Sequence, residues 1–370
     1  MADESYDVMV IGTSQGGRFL PIDLAKAGRK VALVERGHLG GVCVNSGCTP
    51  TKTMVASARA AHQARRGAEY GVRTGPVSVD LAAVRERKRA MVAGARENYA
   101  SRLPQDGLDL VEGEARFTGP KTVEIALPDG GTREIGAPVI VIDTGTRPRQ
   151  LTISGAQSVP VLDSTSIMEL GELPDHLIIL GGGYIGLEFG QMFRRFGSEV
   201  TIVQTGSRLL TREDDDVSDE VAALLRDDGI TVLTSARPER VEETGGGRVR
   251  LTVRTPDGER QVEGSGRVGM TERQAAEQNR SVRVAKLPMS AVIRALETGE
   301  TRGFMKAVID ADTQQILGAA VLGVEGGEIM TIIQVAMLGQ LPYTAMANAV
   351  FTHPLLAEGL NSLFMSLDAQ

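Results

Sequence analysis

The apolar run Val8-Met9-Val10-Ile11, ended by Gly12, is too short for a helix and continuous rather than alternating, as in a strand buried on both faces. The segment Gly12-Thr13-Ser14-Gln15-Gly16-Gly17 follows. Apolar positions at Phe19, Leu20, Ile22, Leu24 and Ala25 then predict a helix that Gly28 closes, and residues 30–35 predict a second strand. The same order recurs later. Leu177-Ile178-Ile179-Leu180 runs into Gly181-Gly182-Gly183-Tyr184-Ile185-Gly186, a helix is predicted over 187–196 before Gly197, and a strand over 200–204. Between these units, Met54, Val55, Ala58 and Ala61 continue a helix, and residues 81–103 form a second amphipathic one whose many Arg and Lys residues read as a solvated face. Strand and hairpin signals fill 108–141, with a turn at Asp129-Gly130-Gly131 and a buried strand at 139–142. The loop from Pro148 to Pro160 reads as a domain crossing. Beyond Glu239 the pattern predicts a hairpin of strands 249–253 and 260–262 around Pro256-Asp257-Gly258. After residue 266 come a helix N-cap at Thr271, strands near 282–284, 304–309 and 318–323, and two closing helices over about 327–338 and 354–365.

Strand, glycine-rich turn, helix and strand in that order form a dinucleotide-binding unit, in which glycines let the backbone approach a pyrophosphate lying on a helix N-terminus. In the first unit Gly12 and Gly17 keep outer positions, Ser14 occupies the middle glycine position, and Glu35 lies 23 residues after Gly12, placed to accept hydrogen bonds from ribose hydroxyls. The second unit keeps Gly181, Gly183 and Gly186, with Tyr184 and Ile185 between them, and carries Gln204 at the same spacing. An acid there favours the 2′-hydroxyl of NAD, and its absence removes repulsion against the 2′-phosphate of NADP. Arg208 either pairs with that phosphate or is a loop cation. NADP is favoured over NAD.

The chain has 2 cysteines in 370 residues, Cys43 and Cys48, and both lie in the run Gly40 to Thr53. Five positions apart at the start of a helical pattern, the thiols can reach each other. A bridge closing so small a loop removes little chain entropy, so a pair that cycles between dithiol and disulfide outranks a structural bridge. Peptide dipoles at a helix N-terminus are expected to lower a thiol's pKa. Composition narrows the setting: 42% hydrophobic and 24% charged residues describe a soluble globular protein of two or three domains. A net charge of -7 argues against nucleic acid, no apolar run reaches membrane-spanning length, and the acidic N-terminus is not a secretory signal. The expected location is the cytoplasm, where a disulfide is more often catalytic than structural.

The Gly-Gly-x-Cys-x4-Cys-x-Pro-x-Lys run, the two fingerprints in order and His353-Pro354-x3-Glu358 resemble the class I pyridine nucleotide–disulfide oxidoreductases. That group includes mercuric reductase, dihydrolipoamide dehydrogenase and glutathione reductase. The resemblance implies an α/β fold: an FAD-binding Rossmann-like domain over 1–148, an NAD(P)-binding one over 149–265, and an α+β dimerisation domain over 266–370. It implies electron flow from NAD(P)H through FAD to Cys43–Cys48 and on to a small disulfide or a metal ion. Thr49-Pro50-Thr51-Lys52 is most like mercuric-reductase-like members, with dihydrolipoamide dehydrogenase as the alternative, although the additional C-terminal cysteine pair of mercuric reductases is missing. Cys48 would be the sulfur beside the flavin and Cys43 the exchange thiol. Lys52 would lie near the flavin and pair with Glu188, and His353, oriented by Glu358, would act as acid and base from the other subunit of a homodimer. Cofactor contacts are also implied for Gly41, Ala115, Thr144 and Gly145, and no resident metal is implied. The Ala-x-Gly-Asp turn that returns such chains to the flavin domain is missing, pointing to an internal deletion near 265–266. Either the working protein has a segment this chain lacks, or the chain is a catalytically dead, nucleotide-binding or dimerising remnant.

Overall fold

The computed structural model describes residues 4–104, 106–148, 151–159, 161–245, 248–256, 267–269 and 282–367. They divide into two compact units, residues 1–152 with 160–173, and residues 153–159 with 174–370.

The first unit is built on a parallel sheet in the order Leu108–Glu112, Val31–Glu35, Val8–Ile11, Val139–Ile142. Alternate residues of the central strand enter opposite cores. Val8 and Val10 pack with Ile22, Ala25, Tyr99 and Leu103, while Met9 and Ile11 pack with Val123, Ile125 and Ile135. That two-sided burial is why the strand is apolar throughout. Helices Leu20–Lys26 and Leu81–Ala100 supply the first core, and the antiparallel strands Glu114–Gly119, Thr122–Ala126 and Thr132–Gly136 supply the second. Helix Cys48–Arg65 packs on Leu81–Ala100, whose start is capped by Asp80 accepting from the Ala83 N–H at 2.9 Å.

Three expectations change here. The first helix begins only at Leu20, because Pro21 is well placed in a first turn whereas Gly16-Gly17 resist helix. No helix N-terminus therefore closes the first fingerprint. The cationic face of Leu81–Ala100 is not all solvated: Lys88 is 3% exposed and ion-paired with Glu169, whose other oxygen takes Arg89 at 2.7 Å. Strand Val139–Ile142 forms but is not buried. It ends the sheet, with Val139 51% and Ile142 64% exposed.

In the second unit His176–Leu180, Glu199–Val203 and Thr231–Leu233 form a parallel sheet with His176–Leu180 at one end. Ile178, Ile179 and Leu180 are only half-buried. Helix Tyr184–Phe196 starts directly on Gly183, earlier than the apolar spacing suggests. Strand Arg248–Arg254 pairs antiparallel with Arg237–Gly245. Residues 260–262 and the N-cap expected at Thr271 lie outside the described residues. The C-terminal sheet is antiparallel, in the order Arg267–Gly269, Ile316–Leu322, Phe304–Asp310, Val282–Pro288. Helices Gly326–Leu338, Tyr343–Ala347 and Gly359–Met365 close a core that includes Met305, Ile309, Ile333, Leu360 and Phe364. The last helix is shorter than expected because Leu355 is extended and a 3-10 turn precedes Gly359. Tyr343–Ala347, five residues long, is too brief to show a helical period.

Candidate active site

Gly12 leaves the central strand at φ +98°, and a Cβ there would stand 2.2 Å from the Asp143 carbonyl oxygen, so only glycine fits. Next, Thr13 donates to Glu35 Oε2 from its N–H at 3.1 Å and its hydroxyl at 2.5 Å, and Thr13 Oγ1 accepts the Gly40 N–H at 2.9 Å. Glu35 Oε1 accepts from the Gly37 N–H at 2.9 Å. The expected ribose acid thus also ties the glycine turn to the cysteine segment. The Gly17 N–H donates to Asp143 Oδ2 at 3.0 Å. A Cβ at Gly41 would stand 2.8 Å from Ser14 Cα, and one at Gly145 would lie 3.5 Å from Val42 and 3.8 Å from Ser14 Oγ. Ser14, Gly41 and Gly145 therefore converge at the carboxyl ends of the strands, where open α/β sheets bind ligands. Thr144 adjoins them, exposed. Ala115 lies opposite Ile125 in the antiparallel layer, two residues after Gly113, whose N–H donates to the Glu35 carbonyl at 2.9 Å.

Cys43 sits in the short helix Gly41–Asn45, and Cys48 is the first residue of the 18-residue helix Cys48–Arg65. The Asn45 amide donates to the carbonyls of His38 and Leu39 at 3.1 Å and of Gly41 at 2.8 Å, while its oxygen accepts from Arg96. Thr51 Oγ1 donates to the Gly47 carbonyl at 2.6 Å, bracing the residue before Cys48. The thiols are unbridged, Cys43 half-buried and Cys48 exposed. Burial, and then a hydrogen bond with Cys48 and its charge, hold the Cys43 thiol above the ordinary thiol range. The lowered pKa expected from a helix start is reversed at Cys43, because a five-residue helix offers little dipole while burial removes water from a thiolate. Lys52 lies one turn beyond Cys48 on the same helix, exposed.

In the second unit the Gly181 N–H donates to the Val203 carbonyl at 2.7 Å, and the Gly182 N–H to Gln204 Oε1 at 3.0 Å. Gln204 Nε2 donates to the Arg208 carbonyl at 3.2 Å. A Cβ at Gly186 would meet the Gly181 carbonyl oxygen at 2.3 Å. The helix thus runs against the turn it caps. Gly183 is its N-cap, the Tyr184 hydroxyl bonds buried Glu213, Ile185 is exposed and Glu188 half-buried. Arg208 meets Asp215 at 2.5 Å and Asp219 at 3.9 Å. Toward the C-terminus, His353 Nδ1 lies 2.9 and 3.1 Å from the two Glu358 oxygens, with the ring 62% exposed.

Residues 6–302 match the sequence profile of the pyridine nucleotide-disulphide oxidoreductases, and residues 264–364 that of their dimerisation domain. The chain belongs to this family. The probable pyridine nucleotide-disulfide oxidoreductase RclA of Escherichia coli (strain K12) is 31% identical over 451 aligned positions, 97% of this chain and 98% of that protein. A mercuric reductase of Streptomyces lividans is 39% identical over 266 positions, 71% of this chain and 56% of that enzyme. The solved Cu(II) complex of the HOCl-induced flavoprotein disulfide reductase RclA from Escherichia coli matches with a TM-score of 0.82 at 30% identity, covering 98% of this chain and 100% of that one.

Like its family, the chain is an FAD-dependent oxidoreductase using NAD(P)H. The first unit's residues fit such a dinucleotide: the turn at Gly12 and Gly41 has no room for a Cβ, and the Tyr99 hydroxyl beside it is buried without a partner. The 451 positions aligned with RclA exceed the 370 residues of this chain, so the relative carries a stretch with no counterpart here. Among the described residues no helix is long and apolar enough to cross a membrane, and no group of three or more His, Cys, Asp or Glu side chains is arranged to hold a metal ion. Thr13, Asn45, Arg96 and Asp143 shape the site without a sequence signal of their own, although Asp143, polar at the end of an apolar strand, is the kind of position that binds ligands in such sheets.

Proposed function

We propose that this enzyme passes two electrons from NADPH, bound over Gly181, Gly183, Tyr184, Ile185, Gly186 and Gln204, to the Cys43–Cys48 pair and on to a metal ion, with a small disulfide as the second substrate class. FAD, held by Gly12, Gly17, Glu35, Gly41, Lys52, Thr144 and Gly145, supplies the two-electron centre between nucleotide and thiols. The observation that carries this reading is the cysteine segment seated on the first glycine turn, Gly41 against Ser14. Cys43 is the thiol that attacks substrate and Cys48 the one nearer the flavin. Because burial keeps Cys43 protonated, the attack needs a base. His353, oriented by Glu358, is the candidate, supplied across a homodimer built by residues 266–370. Lys52 and Glu188 tune the flavin's surroundings. A metal-ion substrate is favoured over lipoamide by the Cu(II) complex of RclA, which matches over nearly the whole of both chains. NADPH is favoured by neutral Gln204, which presents no charge to a 2′-phosphate.

One observation favours a second reading, a remnant that binds nucleotide without turnover. Ile142 and Val139 lie open on the edge of a parallel strand, a class normally covered on both sides. The stretch present in RclA would enter near 265–266, where the dimerisation profile begins, and would cover such edges. Steady-state NADPH oxidation with Cu(II), Hg(II), lipoamide and oxidised glutathione decides. Turnover with a metal ion that Cys43→Ser lowers by ~100-fold or more supports the enzyme reading; flavin-free, inactive protein supports the remnant.

A further inference from the structure

The first glycine turn lacks the usual devices for holding a diphosphate. Its middle glycine is Ser14, and the helix that should end on it starts only at Leu20 and runs seven residues. The missing charge must come from a side chain. Arg18 stands at that place. Its guanidinium lies 5.1 Å from the Tyr99 ring centre and 5.3 Å from that of Phe19. Arg18 Nε is buried with no hydrogen-bond partner, and so is the hydroxyl of Tyr99, whose side chain is fully buried. A buried donor without an acceptor bears the whole cost of its lost hydration, so two of them side by side mark a place where acceptors belong. The neighbouring carboxylates do not fill it: Glu35 is taken up by Thr13 and Gly37, and Asp143 accepts from Gly17.

We propose that Arg18 is the cation that holds the FAD pyrophosphate in the first unit, with the Tyr99 hydroxyl as a second donor. The proposal rests on the FAD reading given above. A guanidinium offers several donors in a fixed plane to phosphate oxygens, and one already stacked on an aromatic ring loses little freedom on binding. The same charge favours the thiolate of Cys43, which places Arg18 beside both the glycine turn and the cysteine pair.

The test titrates apoprotein with FAD and separately with riboflavin, which has no phosphate, following flavin fluorescence in wild type, Arg18→Gln, Arg18→Lys and Tyr99→Phe. Loss of a charge-assisted hydrogen bond predicts FAD affinity weakened roughly ten- to a hundred-fold in Arg18→Gln, with partial recovery in Arg18→Lys and a smaller loss in Tyr99→Phe. Riboflavin affinity stays equal across the set. Wild type that binds FAD while Arg18→Gln binds it within about twofold overturns the Arg18 assignment alone. So does an equal loss for riboflavin, which would mark a structural defect. Wild type that binds no FAD overturns the function reading and this one with it.

Discussion

The two glycine turns differ by one charge at matched positions. Glu35 and Gln204 each lie 23 residues after the first glycine of their fingerprint, and each accepts a hydrogen bond from the backbone N–H that follows that glycine, Thr13 in one case and Gly182 in the other. The shared bond shows that the residue ending the second strand serves first to hold the turn closed, whatever nucleotide it meets. Charge is the part left to vary. The turns also differ in how the helix begins: on Gly183 in the second unit, but in the first only at Leu20, five residues later than the matched position. The second turn thus has a helix N-terminus available for a phosphate, and the first does not, which is the gap the Arg18 proposal fills.

The sharpest way to break this contrast is to add one methyl group at the third glycine of each turn. At Gly186 the new Cβ would stand 2.3 Å from the Gly181 carbonyl oxygen, and backbone cannot yield without moving the helix. Gly186→Ala is expected to cost about 1–3 kcal/mol or more in urea unfolding of the second unit and to abolish NADPH binding, while FAD binding persists. At Gly17 the Cβ would meet Asp143 Oδ2 at 2.9 Å, a side chain able to rotate, so Gly17→Ala should cost under ~1 kcal/mol. Equal losses would show that the two turns are packed alike.

Exchanging the charges probes the other half of the comparison. Glu35→Gln keeps the shape and removes the charge from hydrogen bonds donated by Thr13 and Gly37, and ~1–2 kcal/mol should leave the first unit's stability. Gln204→Glu places a carboxylate where a 2′-phosphate is expected, and the ratio of kcat/KM for NADPH to that for NADH should fall by about tenfold or more. An unchanged ratio would remove Gln204 from cofactor choice.

Much of this arrangement was legible in the chain. The doubled strand–glycine–helix order, the paired cysteines and the His353–Glu358 spacing all depend on short-range periodicity or on residues few enough to stand out. What was hidden depends on tertiary choice. The strand Arg237–Gly245 that pairs with Arg248–Arg254 was hidden because Arg, Pro and Glu dominate it and leave little apolar alternation to read. The late start of the first helix follows from a local contest between Gly16-Gly17 and Pro21 that apolar spacing does not register. Lys88 looks like any surface cation until Glu169 folds over it. The exposure of Val139 and Ile142 is the plainest case: an apolar run predicts burial, but burial needs a neighbour, and the run does not say whether one is present.

The smallest effect concerns the thiol that lies on the charged turn. Burial and the neighbouring Cys48 raise the Cys43 pKa, while the charge of Arg18 works in the opposite direction. Folding therefore favours the protonated thiol. Its contribution to stability is fully present below the ordinary thiol pKa and is lost as pH rises through the folded value, because in that window the unfolded chain has already released the proton. Rates of Cys43 alkylation by iodoacetamide, measured in Cys48→Ser and in wild type from pH ~6 to ~10, should show the wild-type midpoint above that of a free cysteine, near ~8.5, and the Cys48→Ser midpoint lower than wild type. Removing the Cys48 thiol deletes its hydrogen bond and its charge, both of which raise the Cys43 pKa, while the backbone N–H of residue 48, which lowers it, stays, so the midpoint should fall. Adding Arg18→Gln should shift it back up, since the guanidinium favours the thiolate and is a lesser influence than burial. A wild-type midpoint below that of free cysteine would mean that the helix starts, not burial, govern this thiol, and the need for His353 as its base would go with it.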